Sequence, residues 1–398
     1  MCCAAAIPKA AFCRLKNCNH DADSAKKSDK RIYHGRCIFI LLYYAICTID
    51  CIYFVTNMTS PLGSLSVPSS FAFATLSGIW LRCAWIRGQR RRKRSAASVV
   101  VALVDNGSLK PRSTLALRSV AAKLQEHFHQ RSNDLGFDLR VEPVSARWSA
   151  KVDPETLGGV PGRLFADLAR DVAKEHNNGA NVRLVALPYF IGPSKTVTEF
   201  LHKASRIALG KSNLRVAFAP VLVSPNPLHQ SNDGLSKILA SNVLKTAHQN
   251  GISQEKLKVV VVDHGSPTRA VCDVRNLLGI QVKRILAAKG VAAIVVAASM
   301  ERREGEKYAF AEPLLERVLA ENIQGCGEGD VIVAMAFLSP GRHAGPGGDV
   351  DEIIEQAVRR ANDSGRSLQV TKTGLLGAHP DIVEVLSQKL RDVLPQVL

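Results

Sequence analysis

The chain is predicted to be an α/β protein made of two similar doubly wound parallel-sheet domains related by duplication. Three observations support this prediction. From residue 97 onward short β-branched runs alternate with amphipathic stretches, the runs are apolar throughout, and the sequences that end them repeat in order. Near-continuous apolar strands separated by helices are typical of parallel sheets that are covered on both faces. The 398 residues suffice for two such domains with full cores.

The first predicted domain spans about 97–250. Its β-branched runs favour strands, and its amphipathic stretches favour helices. The strands are expected at 99–104, 139–144, 182–187 and 214–218, with helical patterns near 112–130, 162–176, 196–208 and 234–249. This alternation predicts a parallel sheet with helices on both faces.

The second predicted domain spans 251–398 and repeats the same order. The strands are expected at 259–262, 292–296, 331–336 and 368–370, with helical patterns near 268–288, 309–322, 350–362 and 381–393. In 268–288 the apolar positions share one face, which is typical of a helix that packs on a sheet.

The ends of the predicted strands match between the two halves. Val104-Asp105-Asn106-Gly107-Ser108 lines up with Val262-Asp263-His264-Gly265-Ser266, 190–196 lines up with 337–343, and 216–224 lines up with 370–378. Three matches in the same order favour an internal duplication.

Two histidines occupy matched positions at which the first half has none. His264 aligns with Asn106 and His343 aligns with Thr196, so the fold can be built without imidazole there. Each histidine follows a predicted parallel strand, and ligands of open α/β sheets bind beyond the carboxyl ends of the strands. Imidazole pairs suit divalent iron or cobalt and accept protons near neutral pH. We therefore expect a metal site at His264 and His343; the alternative is that each is an ordinary loop histidine.

Three segments of the second half carry a family resemblance. They are Val262-Asp263-His264-Gly265-Ser266, Phe337-Leu338-Ser339-Pro340-Gly341-Arg342-His343 and Gly374-Leu375-Leu376-Gly377-Ala378-His379-Pro380. In this order they resemble the signatures of the sirohydrochlorin chelatase family, class II chelatases whose long members carry two fused halves. The resemblance covers the second half from end to end and is weaker in the first half.

The resemblance implies an enzyme that inserts iron(II) or cobalt(II) into sirohydrochlorin without ATP. It implies that His264 and His343 bind the incoming metal and take part in proton exchange. Ala311-Glu312-Pro313 resembles a family segment whose acidic residue lies near the cleft, so Glu312 is implied as a third catalytic group. Residues 302–308 look inserted after Glu301, which favours Glu312 over Glu301. No cofactor is implied beyond the substrate metal.

Basic side chains just beyond the motif strands are candidate ligands for the macrocycle. Sirohydrochlorin is rich in carboxylates, and Arg342, Arg269 and Lys372 lie at these positions. Arg342 is favoured because a guanidinium group can pair with a carboxylate through two hydrogen bonds. The alternative is that these residues are solvated surface charges.

The net charge of +17 is concentrated at the front of the chain. Residues 1–98 hold 15 Lys or Arg and 4 Asp or Glu, a balance of +11 that leaves +6 for the rest. Basic character is therefore weak evidence for nucleic-acid binding by the folded part, and we expect no nucleic-acid partner.

Residues 1–96 are predicted to be a targeting leader. The segment 37–55 is apolar and long enough to span a bilayer, and membrane contact is expected only through it. From 51 to 104 the chain has no acidic residue and is rich in Ser and Arg, as in organelle transit peptides. The two signals resemble a bipartite plastid leader, with Ser70-Phe71-Ala72-Phe73-Ala74 as a Phe-centred cleavage motif. The alternatives are a membrane anchor or a true start at Met58.

The leading prediction is thus a plastid sirohydrochlorin ferrochelatase or cobaltochelatase. The alternative from another class is a non-catalytic tetrapyrrole or metal carrier that kept the fold. A hydrolase with Ser266 as nucleophile is disfavoured because no Gly-x-Ser-x-Gly elbow is present. A dinucleotide enzyme is disfavoured because Pro346 interrupts the glycine-rich run 341–348.

Overall fold

The computed structural model describes residues 97–130, 137–225 and 233–397. Arg90–Leu398 form one compact unit that contains both predicted domains. The predicted leader, with its segment 37–55, lies outside the described residues. Among the described residues, no helix is both long enough and apolar enough to cross a membrane.

The first half contains a four-stranded parallel sheet. Its strands are β1 (Ser98–Asp105), β2 (Asp138–Ser145), β3 (Val182–Pro188) and β4 (Val216–Phe218), in the spatial order β2-β1-β3-β4. Every residue of β1 after Ser98 is buried, as expected for a central strand that helices cover on both faces. Ser98 is in register with Asp138 on one side and Val182 on the other.

The second half repeats this sheet. Its strands are β5 (Leu257–Asp263), β6 (Ala293–Ser299), β7 (Gly329–Met335) and β8 (Leu368–Lys372), in the order β6-β5-β7-β8, again parallel. The order of the strands is identical in the two sheets. The predicted fold class, two similar doubly wound domains related by duplication, is therefore confirmed.

The helices follow the strands at nearly the predicted positions. They are α1 (Pro111–His129), α2 (Phe165–Asn177), α3 (Leu201–Leu209), α4 (Gly234–Gln249), α5 (Arg269–Ala288), α6 (Leu315–Ala320), α7 (Asp349–Asp363) and α8 (Ile382–Val393). A π-type turn, Thr196–Phe200, precedes α3. The helix expected near 309–322 is instead split into the 3₁₀ turn Glu306–Ala311 and the short α6. Pro313 explains the split because it has no N–H to continue a helical ladder.

One hydrophobic core is shared by the two halves. It joins one face of each sheet to α1, α4, α5 and α8, while the outer faces pack separately on α2 and α3 or on α6 and α7. The last helix of each half also packs against the other half: α4 lies on β7, and α8 lies on α1 and β3. The division of the two repeats between 250 and 251 stays a prediction, because this core runs across it.

Candidate active site

The two predicted histidines lie together at the carboxyl end of the second sheet. His264 directly follows β5, and His343 lies on the loop between β7 and α7. Their Nε2 atoms are 3.1 Å apart, and the two rings meet edge to face at 85°. Neighbouring parallel strands thus bring together two residues that are 79 positions apart in the chain.

The hydrogen bonds of the other ring nitrogens define the chemistry of the pair. Nδ1 of His264 lies 2.9 Å from the carbonyl oxygen of Gly265, and Nδ1 of His343 lies 2.7 Å from Oδ2 of Asp349. Each Nδ1 therefore carries a proton and donates it, since both partners are acceptors. In the neutral rings both Nε2 atoms then present lone pairs to the same point. Two facing acceptors are stabilised by a shared cation or proton, so the geometry suits metal capture.

Gly265 shapes the loop that carries His264. Its φ is +87°, and a Cβ at this position would lie 1.9 Å from the carbonyl oxygen of Glu301. Only glycine tolerates both conditions. The backbone N–H of Gly265 donates to Oδ1 of Asp263 at 3.1 Å, so Asp263 holds the loop from below. Asp105 occupies the matched position in the first half, which favours an orienting role for this aspartate in both repeats.

A buried arginine lies beneath the same loop. Arg275 of α5 is 1% exposed and donates to the hydroxyl of Ser299 and to the carbonyl of Ala311, the latter at 2.7 Å. Ser299 in turn donates to Asp263 at 3.0 Å. Burial raises the pKa of Asp263, and the Arg275 charge and the Ser299 hydrogen bond oppose that rise. The network ties the ends of β5 and β6 to α5.

Glu301 is a carboxylate beside His264. Its Oε1 lies 3.7 Å from Nε2 of His264. Glu312, the predicted catalytic acid, accepts from Nε of Arg302 at 2.8 Å and from the N–H of Leu314 at 3.0 Å, and neither Glu301 nor Glu312 is among the residues that line the cleft. The ion pair between Arg302 and Glu312 closes the apparently inserted segment 302–308 into a loop. Glu301 precedes this loop, two residues after the end of β6.

The three candidate cations take different places. Arg342 lines the cleft, and its Nε lies 3.6 Å from Oδ2 of Asp349. Arg269 stacks over the ring of Phe310, 4.9 Å from its centroid. Lys372 forms an ion pair with Asp351 and borders a separate pocket beside Pro340. Of the three, Arg342 alone lines the cleft that holds the histidines.

That cleft has a volume of about 380 Å³ and is lined by both halves. The second half contributes His264, Arg342 and His343, and the first half contributes Asn106 and Tyr189. The Tyr189 hydroxyl reaches the carbonyl of Leu338 in the second half at 3.4 Å, and burial raises its pKa. Ligand pockets of α/β proteins commonly open at this end of the sheet and at domain boundaries.

Two residues of the site were not singled out from the sequence. Asp349, the first residue of α7, orients His343, and Tyr189 lines the opposite wall. The signal for Asp349 is its position six residues after His343, just behind the glycine-rich run. An acidic residue in the first turn of a helix is also common for electrostatic reasons alone, which hides its role.

Within the described ranges, no group of three or more His, Cys, Asp or Glu side chains is arranged to hold a metal ion. A closed tetrahedral cage would retain the metal, whereas an imidazole pair leaves coordination positions for other ligands. The arrangement can therefore hold a dication loosely and pass it on.

Residues 258–393 match the CbiX family model. The second half of the chain is thus similar to the CbiX family of class II chelatases. The general activity of that family is the insertion of a metal into a tetrapyrrole. A comparison with curated proteins gives no match.

Three solved structures are similar to this chain over part of its length. A multi-domain protein from Deinococcus radiodurans, described as similar to chelatases with two additional novel domains, is 16% identical over 74% of this chain and 54% of its own, with a TM-score of 0.44. This chain thus spans about half of that protein. A putative branched-chain amino acid ABC transporter from Rhodospirillum rubrum is 12% identical over 74% and 69%, with a TM-score of 0.29. A periplasmic sugar-binding protein from Legionella pneumophila is 12% identical over 73% and 86%, with a TM-score of 0.26.

Proposed function

We propose that this protein inserts iron(II) or cobalt(II) into sirohydrochlorin. The observation that carries the proposal is the pair of Nε2 atoms, 3.1 Å apart, whose rings both donate through Nδ1. Two imidazole nitrogens can share one dication at about 2.1 Å each. Iron(II) and cobalt(II) both accept imidazole ligands, so the site serves either metal.

The reaction requires the macrocycle to exchange two pyrrole protons for one dication. As the metal moves from the histidines to the pyrrole nitrogens, both Nε2 lone pairs become free. Each can then accept a proton, which balances the two protons that leave the macrocycle. Asp349 and the Gly265 carbonyl stabilise the resulting imidazolium rings, because each accepts from an Nδ1–H. Glu301 adds a further carboxylate at 3.7 Å from His264.

The cleft supports the assignment of an acidic macrocycle. Arg342 stands at its wall with an exposed side chain, and Asp349 does not neutralise it fully at 3.6 Å. An arginine in this position can pair with a substrate carboxylate. The plastid is the proposed compartment, on the leader sequence alone, with a membrane anchor as the alternative.

Anaerobic metal insertion tests the proposal. Sirohydrochlorin absorption is followed with iron(II), and separately with cobalt(II), for the wild type, His264→Ala and a control, His248→Ala, whose histidine is exposed at the end of α4. We expect catalysis in the wild type and the control and only the uncatalysed rate in His264→Ala. Binding of the macrocycle without acceleration in the wild type would instead support a non-catalytic tetrapyrrole or metal carrier.

A further inference from the structure

The first half keeps the backbone of the metal site without its ligands. The N–H of Ala146 donates to the carbonyl of Asp105 at 2.8 Å, and the N–H of Met300 donates to that of Asp263 at the same distance. One residue further on, Arg147 is bonded to Asn106 at 3.2 Å as Glu301 is bonded to His264 at 3.3 Å. The two loops are therefore equivalent residue by residue.

The glycines confirm this equivalence. Gly107 has a φ of +82°, and a Cβ there would lie 1.8 Å from the carbonyl oxygen of Arg147, as a Cβ on Gly265 would meet that of Glu301. The matched side chains also meet. The Thr196 hydroxyl donates to Oδ1 of Asn106 at 3.2 Å, where the second half has its histidine contact.

The three matched substitutions reverse the electrostatic character of the site. The second half has His264, Glu301 and His343, which favour a cation; the first half has Asn106, Arg147 and Thr196 in the same places. Two ligands are replaced by neutral polar groups, and the carboxylate is replaced by a guanidinium. A guanidinium beside a carboxamide suits an anion, because both groups can donate hydrogen bonds.

The guanidinium group of Arg147 has no hydrogen-bond or ion-pair partner within the described part of the protein. Its guanidinium carbon lies over the Phe200 ring at 4.1 Å, and its Nε is buried without a hydrogen bond. Nearby arginines differ: Arg163 pairs with Asp171 and Arg170 pairs with Asp167, both at 2.8 Å. The stacking fixes the plane of Arg147, and the absence of an acceptor leaves its charge available to a ligand.

Further donors at this end of the sheet also lack acceptors. Because Asn106 uses its Oδ1 to accept from Thr196, its amide N–H groups remain free among the described residues. The hydroxyl of Ser194 is buried without a partner. Asn106 and Ser194 line the cleft that also contains His264 and His343.

We propose that Asn106 and Arg147, with Thr196 orienting the Asn106 amide, form a carboxylate-binding subsite in the first half that anchors one acidic side chain of the macrocycle. The proposal rests on the proposed function for the identity of the ligand. The subsite would orient the ring in the cleft, because one edge is held by the first half while the second half delivers the metal.

Asp105, the residue before Asn106, also lines the cleft. Burial is the largest cause that raises its pKa to about 6, while Ser145 and the N–H of Gly107 oppose the rise.

The test measures macrocycle binding and metal binding separately in the full chain. Metal-free sirohydrochlorin is titrated by absorption, and cobalt(II) is titrated alone, against the wild type, Arg147→Met and the control Arg170→Met. Methionine keeps the apolar contact with Phe200 and removes the charge. We expect Arg147→Met to weaken macrocycle binding about tenfold, with cobalt(II) affinity unchanged. The control should match the wild type in both titrations.

A second variant approaches the subsite independently of Arg147. Asn106→Asp keeps the shape of the side chain and adds a negative charge, so it should weaken macrocycle binding at least as much; Asn178→Asp, at an exposed position in the same half, is its control. Wild-type macrocycle affinity in both subsite variants would overturn the proposal while leaving chelation intact. Failure of the wild type itself to bind the macrocycle would overturn the proposed function together with it. Equal loss of macrocycle and cobalt(II) binding in both variants would show a structural role and also overturn the subsite.

Discussion

The two halves of the protein end their sheets in the same loops but carry different chemistry on them. His264 and His343 meet at 3.1 Å in the second half, and Asn106 and Thr196 meet at 3.2 Å in the first. The strand order and the glycine that shapes the loop are shared. The comparison shows that the core needs only the backbone of these loops, so their side chains are free to be selected for ligands.

The buried residues beneath the two loops also differ. Arg275 follows Asp263 by twelve residues, and Leu117 follows Asp105 by twelve, both at 1% exposure on the matched helices α5 and α1. The second half therefore has a cation under its loop, and the first half has a leucine. Asp105 consequently lacks the charge that opposes burial at Asp263.

The largest effect is expected when the second site receives the residues of the first. The double variant His264→Asn with His343→Thr removes both of the proposed metal-binding nitrogens. It introduces the side chains that the equivalent loops of the first half carry. We expect insertion to fall by at least about 100-fold, to the uncatalysed rate, because loss of a ligand costs more than loss of its orienting partner. The measurement is anaerobic metal insertion, with unfolding monitored to show that the fold is kept. A double variant that retained more than a tenth of the activity would contradict the assignment of the pair.

The buried arginine is expected to give the largest effect on stability. Arg275→Met leaves the carbonyl of Ala311 without its donor and Asp263 without the nearby charge. Removal of one partner from a buried polar network typically costs about 3–5 kcal/mol. Denaturant unfolding measures this loss, with Arg284→Met, exposed on the same helix, as the control. A loss below about 1 kcal/mol would show that the network is dispensable.

The fold could be predicted from the sequence because its signals are redundant. Each strand is an apolar run, each helix has one apolar face, and both patterns occur twice in the same order. The histidine pair followed from the same logic, since parallel strands end at one edge of a sheet. Chain order and pattern were sufficient for these features.

The partners around the histidines could not be predicted, because they depend on side-chain pairing across loops. The Ala311-Glu312-Pro313 motif does not reveal that Arg302 takes up Glu312. The position of Lys372 does not reveal its ion pair with Asp351. Asp349 reads equally well as a helix-start acid. Each case required the three-dimensional distances.

Asp105→Asn tests the buried acid that lacks a cation. The pKa of Asp105 is raised from 3.8 to about 6, chiefly by burial, so its ionisation opposes folding. The stabilising contribution of the protonated group is complete below about pH 4 and is lost as the pH rises through 6. Asparagine stays neutral, so we expect the variant to gain up to about 3 kcal/mol over the wild type at pH 8 and little at pH 4. Denaturant unfolding at the two pH values gives the comparison, and an equal difference at both would refute it.

Asp349→Asn tests the carboxylate that accepts the Nδ1 hydrogen bond of His343. Oδ2 of Asp349 accepts from Nδ1 of His343 at 2.7 Å, which directs the lone pair of Nε2 toward His264. An amide accepts the same hydrogen bond without the negative charge, so the ring should keep its place but bind metal less tightly. We expect cobalt(II) affinity to fall about 10-fold to 100-fold. Titration of cobalt(II) absorption measures it, with Asp363→Asn at the exposed end of the same helix as the control. An unchanged affinity would show that the Asp349 carboxylate does not contribute to metal binding by His343.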